Sequence, residues 1–459
     1  MGLPHSFLKE PMGILLDILY ALVLLVASPV VLFKMATSRR WRAGMWQRFG
    51  GVPRRRGEKP CVWIHAVSVG EVNTIRTLVE MMGKEFPGWE VLISTTTDAG
   101  QAIARERYGA ARCFFLPLDF TFVLWRAFSR IRPDALVLVE LEVWPNLLRA
   151  ARRRGVPVVI INGRMREEKV RRYHEMRWLL RPALEADSPN LFCVQNEQYR
   201  DRFIRAGFPA GKVRVTGTMK YDAVQTAVPA EKVAQLRDAL GLKPGERAWV
   251  AGCTWPGEEE ICLSVHRLLQ REAPELRLVI APRHVERAGE VEQVIERAGF
   301  PCQRRSGGLG ANERTVGTQN FPKESSVSPP APPPAPPICL LDSVGELGYV
   351  YSFAEFVFVG KSLTVHGGHN MLEPAALGVV PVFGPLTENF LDEAQLLLSA
   401  QAALRVRDEQ ELGAALLRLL REPQSRADMA RRGREAILRN RGASRRHLDI
   451  LRELIEKAS

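Results

Sequence analysis

Acids and bases recur in one kind of place along this chain: just past a short apolar run, beside glycine or another small residue. WIHAVSVGE puts Glu71 there, and VELEVWPNLL puts Glu140 and Glu142 there. VTGTMKYD ends a third run at Lys220, and VIAPRH a fourth at Pro282 and Arg283. A carboxylate within hydrogen-bond reach of a hydroxyl can take its proton as a general base. Arginine suits bidentate contact with phosphate or carboxylate. The segment VGKSLTVHGGHNMLEPAALGVVPVFGP, from Val359 to Pro385, is the richest. It reads as a strand end, a glycine turn, a helix opening at Asn370 and a second strand. Gly367 and Gly368 let the backbone approach a ligand closely. A helix start offers unpaired N–H groups to an anion, and Glu373 can accept two sugar hydroxyls. SVGELG repeats the pattern with Val344, Gly345 and Glu346, and AGCTWPGEEE adds another helix start that could hold a phosphate. The combination suits a nucleotide-linked donor.

Each residue also has a plainer role. Glu71 and Glu373 can simply complement a helix dipole. Glu140 and Glu142 share a face of an extended chain, and a salt bridge to an arginine between Arg149 and Arg154 would satisfy them. Lys220 can be a solvated lysine. Single histidines near these places (His65, His284, His369) are more often packed than catalytic. The signal lies in how many such groups gather at strand ends. No HExxH, His/Cys cluster or DxD pattern occurs, so no metal site is expected.

The elements that must position these residues alternate. Strand-like runs are CVWIHA, EVLISTT, CFFLPL, ALVLVE, PVVIING, LFCVQN and VRVTG, then RAWVAGC, LRLVIAPR, ICLLDS, FVFVG and VVPVFG. Helical stretches such as Val72–Lys84 and Glu197–Ala206 lie between them, and the C-terminal hundred residues read as mostly helical. Continuous apolar strands separated by helices predict parallel sheets covered on both faces. The expected fold class is α/β: two doubly wound, Rossmann-like halves, residues 38–226 and 227–459, facing a shared cleft with their strand-end loops. A tract at about 305–337 containing PPAPPPAPP cannot pack a core and reads as a disordered surface insertion. Residues 1–37 form a separate segment. MGILLDILYALVLLVASPVVLF, from Met12 to Phe33, is long enough to cross or embed in a bilayer, although Asp17 and Pro29 weaken a clean span. The SRRWRAGMWQRFGGVPRRRG that follows carries the arginines and tryptophans of a cytoplasmic membrane interface. A retained anchor with the rest cytoplasmic is the reading; a cleaved signal peptide and a buried soluble helix are the rivals.

The chain carries 64 Lys+Arg against 51 Asp+Glu, a formal charge of +13. That balance favours an anionic partner. The absence of zinc-finger spacing or a ribonucleoprotein motif argues against nucleic acid. Seven cysteines without a CxxC pair suit buried thiols of a reducing compartment.

Seven motifs, HAVSVGE, TTTDAGQ, VELEVWPNL, INGRM, GTMKYD, APRHVER and GGHNMLEPA, occur in the order shown by the 3-deoxy-D-manno-octulosonic acid (Kdo) transferases of lipopolysaccharide synthesis. The chain resembles that family along nearly its whole length. The resemblance implies a metal-independent, inverting GT-B glycosyltransferase with no cofactor, moving Kdo from CMP-Kdo onto a lipid A precursor (lipid IVA). It implies Glu71 as base, Glu140 and Lys220 as transition-state support, and a CMP site of Pro282, Arg283, Val344, Gly345, Glu346, Asn370, Met371, Leu372 and Glu373. Partners would be CMP-Kdo, the lipid acceptor and anionic inner-membrane lipids, with no nucleic acid. The sequence departs from the family at the long insertion, at Lys361 where a second glycine is common, and at Thr364–His366. The alternatives are a GT-B enzyme using another nucleotide sugar and a non-catalytic anionic-lipid-binding membrane protein.

Overall fold

The protein is described here from a computed structural model covering residues 11–38, 42, 44–178, 190–306 and 336–458. The Pro-rich tract lies almost wholly outside these described residues. Two compact units emerge: residues 1–223 with 440–459, and residues 224–439.

The first unit is built on β1 (Cys61–His65), β2 (Glu90–Thr95), β3 (Cys113–Phe115), β4 (Ala135–Val139), β5 (Val158–Gly163), β6 (Leu191–Val194) and β7 (Val213–Val215). All pair in parallel, in the order β3-β2-β1-β4-β5-β6-β7. The β1 and β4 residues are buried throughout, as expected where helices cover both faces. One face buries Trp63, Phe114, Phe128 and Leu136 against the flanking helices. The other buries Val62, Ile64, Val137 and Ile161. The expected Val72–Lys84 helix is two, Val69–Thr74 and Arg76–Glu85, meeting at Ile75.

The second unit is built on β8 (Ala248–Thr254), β9 (Arg277–Pro282), β10 (Cys302–Arg304), β11 (Ile338–Leu340), β12 (Ala354–Val359), β13 (Val380–Phe383) and β14 (Leu404–Arg405). Its sheet is also parallel, ordered β10-β11-β9-β8-β12-β13-β14. The edge strands β10 and β14 are not among the expected runs. With three and two residues, they are too short to show a periodic pattern.

The domain boundary needs a correction. The last helix, Ala443–Ala458, belongs to the first unit and not to a continuous 227–459 domain. Its Leu448, Ile450, Leu451 and Ile455 complete the first sheet's second core layer. Asp222 fixes its start, accepting N–H bonds from Gly442 (2.6 Å) and Ser444 (2.6 Å). All seven cysteines are unpaired and five are buried, as the sequence suggests.

Candidate active site

In the centre of each sheet the strand order reverses direction. In the first unit this lies between β1 and β4, and in the second between β8 and β12. Open α/β sheets bind ligands beyond the carboxyl ends of such a pair, because the connecting helices leave on opposite faces there. The loops holding Glu71 and Glu140 follow β1 and β4. Those holding Trp255 and Lys361 follow β8 and β12.

Glu71 stands in the first turn of Val69–Thr74 and folds back over it. Its carboxylate accepts from the Val67 N–H at 2.7 Å and the Ser68 hydroxyl at 3.3 Å. Burial pushes its pKa up to about 7; the Val67 hydrogen bond opposes this, and the charges of Glu140 and Glu142 add to it. Burial also raises the Glu142 carboxyl. Glu140 takes φ 62, a left-handed backbone unusual for a side chain with a Cβ. Its partner is Arg164, at 2.8 Å, and not an arginine between 149 and 154. Arg164 sits just past β5, in the INGRM motif, so the bridge joins two neighbouring strand ends.

Strand order alone would set Lys220 far away, since β7 is the sheet edge. The loop after β7 turns back instead. Asn162 Oδ1, at the end of β5, accepts the Met219 N–H at 3.1 Å. The short helix Lys220–Ala223 then packs on Val69–Thr74, which carries Glu71. Arg76 holds it by donating to the Ala223 carbonyl at 2.7 Å. His447 of the last helix supports this loop from beneath. Its Nδ1 lies 2.6 Å from the Ala443 carbonyl, and its Nε2 meets the Asn162 N–H (3.3 Å) and Thr216 hydroxyl (3.1 Å). Burial lowers its pKa to about 4. It is therefore neutral, donating through Nδ1 and accepting at Nε2. Asn162, Arg164 and His447 were not among the expected site residues. INGRM names the first two, but nothing local marks His447. His65 is a packed sheet histidine, with Nδ1 3.0 Å from Ser94 Oγ.

In the second unit, Glu258 organises the crevice. Its fully buried carboxylate accepts the N–H groups of Trp255, Lys361, Ser362 and Leu363 at 2.7–3.0 Å. The loop donors that the sequence offers to a phosphate are thus partly held by the protein's own acid. Arg283 follows β9, exposed, with its N–H on the Thr254 carbonyl; Pro282 ends the strand, buried. Lys361 Nζ lies 5.0 Å over the Trp255 ring, and His284 meets the same ring edge-on. The buried Nε2 of His369 has no hydrogen-bond partner among the described residues. Burial, then Arg283, Lys361 and His284, lower the His369 pKa to about 4. In the following turn, Asn370 Nδ2 donates to Glu373 at 3.0 Å, and Asn370 Oδ1 accepts the Leu372 N–H. The helix proper is Leu372–Ala376, beginning two residues later than expected, with Met371 and Leu372 buried. Burial raises the Glu373 carboxyl. Val344 and Gly345 form an exposed turn, Gly345 at φ 87. Glu346 beside them is bridged to Arg305 at 3.1 Å.

The profile of the 3-deoxy-D-manno-octulosonic-acid transferase (kdotransferase) family matches residues 43–223. The 3-deoxy-D-manno-octulosonic acid transferase of Haemophilus influenzae is 31% identical over 95% of this chain and 98% of that protein. The chain belongs to the Kdo transferase family. The Bordetella pertussis enzyme of the same name is also 31% identical, over 95% of this chain and 98% of its own. Among solved structures, the UDP-GlcNAc 2-epimerase of Neisseria meningitidis matches with TM-score 0.56 at 15% identity, covering 86% of this chain and all (100%) of that one. A glycosyltransferase of Rickettsia africae matches with TM-score 0.54 at 8% identity, covering 87% and 99%. These two speak to fold alone: the Kdo transferase chain has the GT-B fold, two doubly wound parallel sheets, with one apolar N-terminal helix.

Proposed function

We propose that this Kdo transferase moves Kdo from CMP-Kdo to a lipid A precursor, lipid IVA, at the cytoplasmic face of the inner membrane, inverting the anomeric centre and using neither metal nor cofactor. The observation that carries the reading is Glu71: a carboxyl at the first sheet's switch point, held at about pH 7 by burial and two neighbouring acids. A base whose pKa lies near working pH balances basicity against being deprotonated. Glu71 takes the proton from an acceptor hydroxyl, and the freed oxygen attacks the anomeric carbon of Kdo from the face opposite CMP. As the bond to phosphate breaks, the sugar becomes oxocarbenium-like. Glu140 and Lys220 support that charge, and the Arg164 bridge holds the Glu140 carboxylate in position.

The second unit holds the donor. Arg283 takes the phosphate, and Asn370, Met371, Leu372 and Glu373 meet the ribose side. Pro282, Val344, Gly345 and Glu346 complete the CMP contacts. CMP-Kdo carries two anions, a phosphate and the Kdo carboxylate. Lys361 and His369 supply donors beyond Arg283; the buried His369 Nε2, which has no partner among the described residues, supports this reading.

Two substitutions test the division of labour. Glu71→Gln should lower turnover by roughly 10²–10⁴-fold and leave CMP affinity, measured by calorimetry, unchanged. Arg283→Ala should weaken CMP binding, more so at low salt because an ion pair is lost. Near-normal turnover in the first variant, or unchanged CMP affinity in the second, would sink the corresponding assignment.

A further inference from the structure

We infer that the N-terminal helix, Pro11–Thr37, does not cross the bilayer but lies within the near leaflet, with both ends on the side of the catalytic unit. This rests on the membrane-anchor reading. Its first turns are docked on protein. Gly13 and Leu16 are buried, and Met12, Asp17 and Tyr20 line the same helix face, half-buried. Asp17 Oδ1 accepts the Thr121 N–H at 3.0 Å and the Asn146 side-chain amide at 3.1 Å. The Tyr20 hydroxyl donates to Asp119 at 3.3 Å, and Asp119 in turn accepts the backbone N–H groups of Asn146 and Leu147. Asp17, which argues against a span in the sequence, is what fastens the helix.

The chain after the helix returns to the same place. A Cβ on Gly44 would run into the Phe115 ring. Gln47 accepts the Phe115 N–H at 3.0 Å, and the Arg48 carbonyl accepts the Leu118 N–H at 2.8 Å. Leu118 and Thr121 are three residues apart, so about 11 Å at most separates the two footholds. A spanning helix would put its two flanks on opposite sides of the membrane, and here both grip one loop.

The return stretch limits depth. From Thr37 to Gly44 the chain reaches about 25 Å at full extension, and its residues are Ser38, Arg39, Arg40, Trp41, Arg42 and Ala43. Three arginines cannot thread hydrocarbon. Arg42 also caps the helix end, donating to the carbonyls of Met35 (2.7 Å) and Ala36 (3.0 Å), so that end stays among headgroups. Between the footholds the helix is apolar and bare. Its window Met12–Val30 has a mean hydropathy of 2.2, and Leu25, Val26, Leu32 and Phe33 are all more than 60% exposed. The occupant that covers such a surface beside arginines and the exposed Trp46 is one leaflet of an anionic phospholipid bilayer. The free run from Ala21 to Phe33 is about 20 Å long, short of the ~30 Å hydrocarbon core.

The test adds a short hydrophilic tag bearing one cysteine ahead of Met1 of the full chain, produced in a Gram-negative host. Spheroplasts are treated with a membrane-impermeant maleimide before and after lysis, with the untagged chain as background. Labelling only after lysis, with the chain in the membrane fraction, is expected. Labelling of intact spheroplasts would show that the helix crosses and would overturn this inference alone. A chain found in the soluble fraction would overturn the anchor reading and this inference with it.

Discussion

Glu71 shows how three acids within one crevice divide their work. Glu140 is paired with Arg164 at 2.8 Å, whereas among the described residues Glu71 meets a backbone N–H and a hydroxyl and no cation. Burial therefore acts on Glu71 with little opposition, and its proton leaves only near pH 7. The base proposed for the reaction works deprotonated, so turnover should rise with pH through about 7 and level off above it. Glu140→Gln removes one of the two charges that hold the Glu71 proton in place. The rising limb should then move to lower pH, whatever the height of the plateau. A pH–rate profile of both proteins checks this. A limb that stays put, or moves to higher pH, would detach the titrating group from Glu71.

At the scale of elements, the loop after β12 has its shape because one acid holds it. Glu258 comes from the helix after β8 and gathers the N–H groups of residues 361–363. Lys361 adopts φ 56 within that loop, where glycine would be relaxed. Gly360 is required beside it, since a Cβ there would lie 2.6 Å from the Cys253 carbonyl. Glu258→Ala would leave several buried donors unpaired, so the variant should lose roughly 2–4 kcal/mol of stability. Glu258→Gln keeps an acceptor and should lose less. Urea unfolding of the two variants orders them, and equal stability of the alanine variant and the parent would refute the role given to Glu258.

For the whole molecule, the chain leaves the first unit at Ala223 and comes back to it at Asn440. The returning helix buries Ala443, Leu448, Ile450, Leu451 and Ile455. Four large side chains at about 1.5–3 kcal/mol each give an upper figure of roughly 6–12 kcal/mol, comparable to the stability of a whole domain. Truncation after Arg439 should therefore unfold the first unit and leave the second, with the CMP binding proposed for it, intact. Circular dichroism and CMP calorimetry on the truncated protein test both halves of the statement. A truncated chain that retains the first unit's melting transition would mean that the helix is an accessory.

The strands were legible because a parallel strand buried on both faces is one continuous apolar run; every run read from the sequence in the two sheets is a strand. The positions of Glu71, Arg283 and Glu373 at element ends were legible for the same local reason, since small residues and glycines mark where a strand stops. What lay beyond the sequence is non-local. β1 and β4 are neighbours although about seventy residues separate them, and that adjacency is what gathers Glu71, Glu140 and Glu142. Arg164 as the partner of Glu140, His447 beneath the Lys220 loop and Glu258 beneath Lys361 are each set by packing between segments far apart in the chain. The last helix reads as part of the second half because nothing in its own residues says which sheet its apolar face covers. Asp17 is the sharpest case. In the sequence it is a charge that spoils a hydrophobic run, and only the fold brings it to Thr121 and Asn146, where hydrogen bonds turn that charge into an attachment point.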